Sequence, residues 1–320
     1  MTLIYNATFD KNTRKVSFED KAGNEIYSFI VPERGPAVDD ITKPLTFKAT
    51  QDGSTVKLTS TGYPTGSFQT SRDGGSTWTN YTIDTAIALN TGEEVSFRAK
   101  ADRTASQSDS KYFQFNMTGK IEAWHNVMSL YRTSDFSTYK SVVEYAFRNL
   151  FRDCTSLTKA PALPATRLAK SCYCYMFSGC QSLKEAPELP ATTLAEDCYS
   201  NMFDGCQSLT KAPALPATTL VNSCYTSMFR VCQSLTKAPE LPATTLADFC
   251  YAYMFAECQS LKEVRVSATT TASRSLKEWL RGVSATGDFY CNPNATIFQS
   301  GISGIPENWR RLNINDYPQT

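Results

Sequence analysis

Cys198 and Cys206 stand eight residues apart, and the same pair recurs along the chain. Cysteines in so short a span can hold a metal, form a disulfide, act as nucleophiles, or pack as small hydrophobes. A zinc site needs convergent thiolates or imidazoles. No Cys-x2-Cys pair occurs, and His125 is the sole histidine. Cys172-x-Cys174 is the one close pair, and Cys174 sits at a position that varies between copies. On a helix, positions i and i+8 lie ~12 Å apart, beyond the ~7 Å that a disulfide spans between Cα atoms. A bridge between neighbouring copies is sterically conceivable, although side chains in register point the same way. Eleven cysteines, an odd number, exclude a fully paired intrachain set. The expectation is buried free thiols acting as small hydrophobes, with no metal and no cofactor.

Other reactive groups are sparse. His125 adjoins Trp124 and reads as structural rather than acid–base. Glu93-Glu94 and Asp39-Asp40 are adjacent carboxylates in a turn and a linker, where solvation explains them. No nucleophile elbow or phosphate loop is present, so the expectation is a protein that is not an enzyme. The formal net charge of +1 gives no global field to recruit nucleic acid. No apolar run approaches the ~20 residues of a membrane span. Hydrophobic content of 41% is modest, and the 12% of aromatic residues must supply much of the core.

The elements that position the cysteines form an internal repeat. Cys154, Cys180, Cys206, Cys232 and Cys258 are 26 residues apart, as are Leu157, Leu183, Leu209, Leu235 and Leu261. Cys172, Cys198, Cys224 and Cys250 follow the same period, with Met176, Met202, Met228 and Met254. Each unit runs C-Y-x-x-M-F-x-x-C-Q-S-L-x-x-A-P-x-L-P-A-T-T-L. Repeats of this length imply stacked units that bury a continuous core. The spacing predicts a short helix over C-Y-x-x-M-F-x-x-C, with Cys, Met, Tyr and Phe in a ~140° apolar arc. SLTKAPAL predicts a strand, and L-P-A-T-T-L a return segment. Cys180, Cys206, Cys232, Cys258, Leu183, Leu209 and Leu235 are then an inward structural ladder. The third, fourth and seventh positions face outward and vary, which makes Tyr175, Asn201, Ser227, Tyr253, Asp204 and Arg230 the candidate ligand-binding residues. On the strand side, Lys159, Lys211 and Lys237 share a column with Glu185 and Glu263, either a solvated face or a polar binding surface.

The rest of the chain is read around this array. Residues 1–31 form a small β-meander for docking or oligomerisation, and 32–44 a Pro- and charge-rich linker. Residues 45–119 hold seven short strand candidates, as in an immunoglobulin-like β-sandwich. Residues 120–145 are a transition and N-cap, with helical spacing in SVVEYAFRNLF. The repeat array spans 146–263. Residues 264–320 are a C-terminal cap containing a short amphipathic helix at ASRSLKEWLRGV.

The repeat text resembles the BspA-like branch of leucine-rich-repeat proteins of gut bacteria and their phages. Phe203, Cys206, Ser208 and Leu209 carry the F-x-x-C-x-S-L match in one copy. The commoner units of that branch are shorter and richer in isoleucine, and A-P-x-L-P stands in their place here. The resemblance implies a multidomain chain: an N-terminal all-β part followed by an α/β leucine-rich-repeat solenoid with 26-residue repeats and a cap. It implies adhesion or recognition of a host-surface protein or glycan, without catalysis. MTLIYNATFDKN lacks the basic start and apolar stretch of a secretory signal. The expected setting is therefore a virion fibre or receptor-binding component, docked to other virion proteins through its N-terminal region, with homo-oligomerisation open. A bacterial cell-surface adhesin is the alternative, and a glycan-active enzyme a more distant one.

Overall fold

Short alternating segments form strands along this chain, but they pair in unexpected orders. The computed structural model describes residues 6–10, 15–19, 22, 25–30, 39–63, 66–103, 108 and 111–317. Two compact units divide at Asp39 and Asp40. In the first, β1 (Asn6–Asp10), β2 (Lys15–Glu19) and β3 (Glu25–Ile30) form an antiparallel sheet in chain order. Its turns at 11–14 and 20–24 lie outside the described residues apart from Ala22, as does the linker segment 32–38.

The second unit opens with β4 (Thr46–Ala49), β5 (Ser54–Thr61), β6 (Phe68–Ser71), β7 (Thr79–Asn80), β8 (Ile87–Leu89), β9 (Glu94–Ala99) and β10 (Tyr112–Thr118). Then follow β11 (Ile121–Trp124) and β12 (Leu157–Lys159). One sheet has the order β10-β5-β8, the other β12-β11-β4-β9-β6-β7. They meet through aromatic rings: Phe47–Phe115 at 4.6 Å, Phe97–Phe115 at 5.1 Å and Phe68–Phe113 at 5.1 Å between centroids.

This is not the immunoglobulin-like arrangement expected from the sequence. In that arrangement the first two of seven strands share a sheet, and the last lies with the sixth. Here the first, β4, pairs with the sixth, β9, and the last, β10, pairs with the second, β5. The chain crosses between sheets at Gly119, where φ is +79° and a Cβ would stand 2.9 Å from the Ser54 Cα. β11 then lies antiparallel to β4 and parallel to β12, which carries the sheet into the repeats.

The repeats correct the sequence reading more deeply. No α-helix forms among the described residues; the helical pieces are 3-10 turns at Val127–Leu130 and Ile314–Asp316. The molecule is nearly all β, built of several small sheets, and an α/β leucine-rich-repeat solenoid does not describe it. The C-Y-x-x-M-F-x-x-C segment is instead a chain of four-residue turns. Ser171, Tyr175 and Gly179 take φ of 52°, 57° and 77°, and the same three positions are left-handed in each copy. Amides alternate in their partners. Cys172, Cys174, Met176 and Ser178 donate three residues back, while Tyr173, Tyr175, Phe177 and Gly179 donate to Cys198, Ser200, Met202 and Asp204 of the next copy. A helix would satisfy its amides within itself beyond the first turn. Near-identical copies let half of these amides bond to the neighbouring layer, so the layers zip together and all core side chains stack in register.

Rings form two ladders through this stack. Phe115, Phe151, Phe177, Phe203, Phe229 and Phe255 stack at 5.4–5.7 Å. Phe147, Tyr173, Tyr199, Tyr225, Tyr251 and Trp279 stack beside them at 5.7–6.3 Å. Aromatic pairs of this kind add about 0.5–1.5 kcal/mol each beyond their buried area.

The two segments read as helices on either side of the array are also turn layers. Tyr145, Asn149 and Asp153 are left-handed, and Phe147 and Phe151 donate to Cys172 and Met176. Arg274, Glu278 and Gly282 repeat the pattern, accepting the layer through Ser275, Lys277 and Trp279 carbonyls. Beyond them, β14 (Glu263–Arg265), β16 (Gly287–Cys291) and β17 (Trp309–Asn313) form a parallel sheet. β13 (Thr245–Leu246) pairs with β15 (Thr270–Thr271). The layered geometry thus runs past the region where the repeated text ends.

Candidate functional site

The stack has a turn side and a proline side, and they differ in how completely their polar groups are matched. On the turn side, each cysteine of the main ladder is buried and bonded. The Cys180, Cys206, Cys232 and Cys258 thiols donate to the carbonyls of Phe151, Phe177, Phe203 and Phe229 at 2.9–3.2 Å. Each of those carbonyls also accepts the amide of the cysteine three residues on. Leu183, Leu209 and Leu235 are fully buried beside them. Burial pushes the Cys172 and Cys224 thiols up to about 12, away from the thiolate that a nucleophile or metal ligand requires. No cysteine is disulfide-bonded, and no group of three acidic, thiol or imidazole side chains is placed to hold a metal among the described residues.

The six residues chosen for variation all lie along this turn side, but the structure gives them structural duties. Tyr175, Asn201, Ser227 and Tyr253 form the middle left-handed column, and each donates its amide to the next layer. Ser227 is buried and the other three are half-buried. Asn201 Nδ2 donates to Ser200 Oγ at 2.9 Å. The neighbouring third and seventh positions do not face outward as a helix would place them: Cys174, Ser200, Ala252, Ser178, Asp204 and Ala256 are buried. Asp204 and Arg230 meet across one layer step at 2.9 Å. Burial raises the Asp204 carboxyl, and the Arg230 hydrogen bond pulls in the opposite direction.

That pair belongs to a general scheme. Lys170–Glu196 and Lys237–Glu263 also join the same position in consecutive layers, at 2.9–3.0 Å, and Arg274 meets Asp248 of the preceding layer at 3.1 Å, one position out of register. Variation of sign along a column is therefore what lets one layer pair with the next.

On the proline side, the outer A-P-x-L-P copies keep layer-to-layer bonds, with the Ala162 amide on the His125 carbonyl and the Leu241 amide on the Arg265 carbonyl, while the middle copies at 186–190 and 212–216 interrupt the stacking. Proline has no amide to give to a ladder. No backbone hydrogen bond joins 186–195 to 212–221, and backbone pairing there is limited to isolated bridges at Glu185–Lys211 and Arg167–Thr193. A groove of about 520 Å³ opens there, walled by Ala186, Pro187, Pro190, Ala212, Pro213 and Pro216, with Leu189 beneath. Glu185, Glu188 and Lys211 stand on its rim, and none has a charged partner within 4 Å among the described residues.

Both ends of the charged column differ from this middle. At one end, Lys159 Nζ lies 3.9 Å from the Trp124 ring. At the other, Tyr317 lies 4.9 Å from Lys237 Nζ and 4.7 Å from the Arg265 guanidinium carbon, and its hydroxyl donates to Glu263 at 2.5 Å. The sequence marks this column by its mixed charges, but its prolines read as a strand end and a return segment.

His125 is structural in its contacts, its Nδ1 accepting the Asp40 amide at 3.3 Å. A second cavity, of about 530 Å³, lies beside Tyr63, Lys100, Asp102 and Arg103. Arg103 is held there against the rings of Tyr63, Phe68, Phe113 and Tyr131, at 3.9–5.6 Å. The Asp102 carboxylate is already engaged by Thr133 and Arg132. Comparison with known proteins finds no matching family model, no matching curated protein and no matching solved structure.

Proposed function

We propose that this is a non-catalytic recognition protein that binds an extended polypeptide segment along the proline side of its stacked layers. One observation carries the reading: the turn side is closed by layer-to-layer bonds, while the middle of the proline side leaves an apolar groove with few backbone bonds across it. An extended peptide supplies amides at a regular pitch to a groove whose backbone makes few bonds of its own. Glu185 and Glu188 against Lys211 give the rim a net negative charge, which favours a basic segment over a neutral glycan. In the setting expected from the sequence, a virion component facing a host-surface protein, the layers are a rigid display scaffold.

A peptide array and a glycan array probed with the wild-type protein and with Ala212→Arg, which fills the groove, test the reading. Capture by basic peptides that is lost in Ala212→Arg supports it. Capture by glycans alone, or equal capture by both proteins, overturns it. Antibody labelling of intact particles tests the setting separately.

A further inference from the structure

From the two ends of the charged column we infer that the open groove takes an aromatic side chain, a tyrosine of the bound segment, beside Glu185 and Lys211. This rests on the proposed peptide-binding reading and names the anchor that such a peptide must carry.

The column Lys159, Glu185, Lys211, Lys237, Glu263 occupies one position in five successive copies. A ring lies over each end. Trp124 covers Lys159, with its indole N–H donating to Glu122 at 2.9 Å. Tyr317 covers Lys237 and Arg265, with its hydroxyl on Glu263. Both rings therefore use the same chemistry: a cation over the π face and a carboxylate accepting the polar tip. A cation over a ring contributes about 0.5–2 kcal/mol depending on its solvation.

The middle of the column offers the same groups without a ring. Glu185 and Lys211 are neighbours across one layer step, as Lys237 and Glu263 are, with the charges in the reverse order. The groove opens beside them, and its Pro and Ala walls suit an apolar ring body. Tyrosine fits better than phenylalanine or tryptophan. Its hydroxyl matches the Glu185 acceptor as Tyr317 matches Glu263, and its size matches a groove formed by only two layers.

The experiment uses the full chain and three synthetic peptides: acetyl-Gly-Lys-Tyr-Lys-Gly-amide and its Phe and Ala versions at the central position. Binding is followed by NMR shifts of the Ala186 and Ala212 methyls. The inference predicts that the Tyr peptide binds at least tenfold tighter than the Ala peptide and several-fold tighter than the Phe peptide. Lys211→Glu should abolish the preference. Tyr317→Ala should leave shifts at Ala212 unchanged, since that ring serves the other end. Equal affinities for the Tyr and Ala peptides overturn the aromatic anchor while leaving a peptide groove standing. Shifts at Arg265 rather than Ala212, or no binding of the Tyr peptide, also overturn it. The array result decides the peptide-binding reading independently.

Discussion

The Cys206 thiol donates to the Phe177 carbonyl, 3.1 Å away and one layer earlier in the stack. The same carbonyl accepts the Cys180 amide. The repeated cysteine is thus a polar rung in an apolar column, small enough for the layer spacing and able to give a hydrogen to an oxygen that alanine would leave half-matched.

Two consequences follow for the thiols. Cys206→Ala removes a buried sulfur and its donor, and should cost about 1–2 kcal/mol in urea unfolding. In the folded protein a thiol reagent at pH 8 should label none of the buried cysteines, and after denaturation all eleven. The pH dependence has a definite sign. Burial raises Cys172 and Cys224 to about 12, against ~8.5 for an unfolded thiol. Their contribution is complete below pH ~8.5 and is lost as pH climbs towards 12, because the unfolded chain ionises first. Urea midpoints should fall steadily from pH 9 to 11.

Val231 sits at φ 61° in a column where Gly179 and Gly205 occupy the two preceding layers. A β-branched residue in the left-handed region is strained, by roughly 1–2 kcal/mol. Val231→Gly should therefore stabilise the protein by about 1 kcal/mol, read as a higher urea midpoint. Gly179→Ala should do the reverse, since its Cβ would also meet the Asp153 Cα at 3.3 Å. A destabilised Val231→Gly would mean that the left-handed turn chain is not the conformation of this segment.

Arg230 and Asp204 should respond unequally. The Asp204 side chain is mostly buried and Arg230 is partly exposed. Removing Arg230 leaves a buried carboxylate without its cation, the costly half of such a pair. Arg230→Ala should cost about 1–2 kcal/mol, and Asp204→Asn less than about 1 kcal/mol. Exchanging the two residues should recover part of the loss. Equal costs for the single variants would place the pair in bulk-like solvent.

How much of this was legible in the sequence turns on the number four. Cys172, Met176 and Cys180 are spaced i, i+4, i+8. Over nine residues a helical period of 3.6 and a turn period of four coincide, so the inward positions were identified while the conformation was not. The distinguishing signal lay elsewhere: Gly179 and Gly205 stand at one position of the repeat, and Asn149 and Asn201 four residues before it, residues that favour a left-handed backbone. The strands between 45 and 118 were legible because alternation is local. Their pairing was not, since β4 with β9 and β5 with β10 join strands about 50 or more residues apart in the chain, which no local pattern records. The variable columns were read as a binding surface because a single layer shows them as outward; only the next layer reveals Arg230 as the partner of Asp204.

Arg103 gives a further check on the sheet end of the molecule. Four rings surround its guanidinium, and Lys cannot reproduce that planar contact. Arg103→Ala should cost about 2–3 kcal/mol through lost packing and cation–π attraction. Arg103→Lys should recover only part of it, measured by the same urea unfolding.

The contrast between the two sides of the stack is tested most directly by amide hydrogen exchange. Amides of 172–180 and 198–206 bond within or between layers, whereas backbone pairing in 186–195 and 212–221 is confined to the isolated bridges at Glu185–Lys211 and Arg167–Thr193. The turn segments should exchange slowly, near the limit of global unfolding, and the proline-side segments within seconds to minutes. Uniform protection across 172–221 would show that the proline side is closed, and would contradict the groove on which the proposed recognition depends.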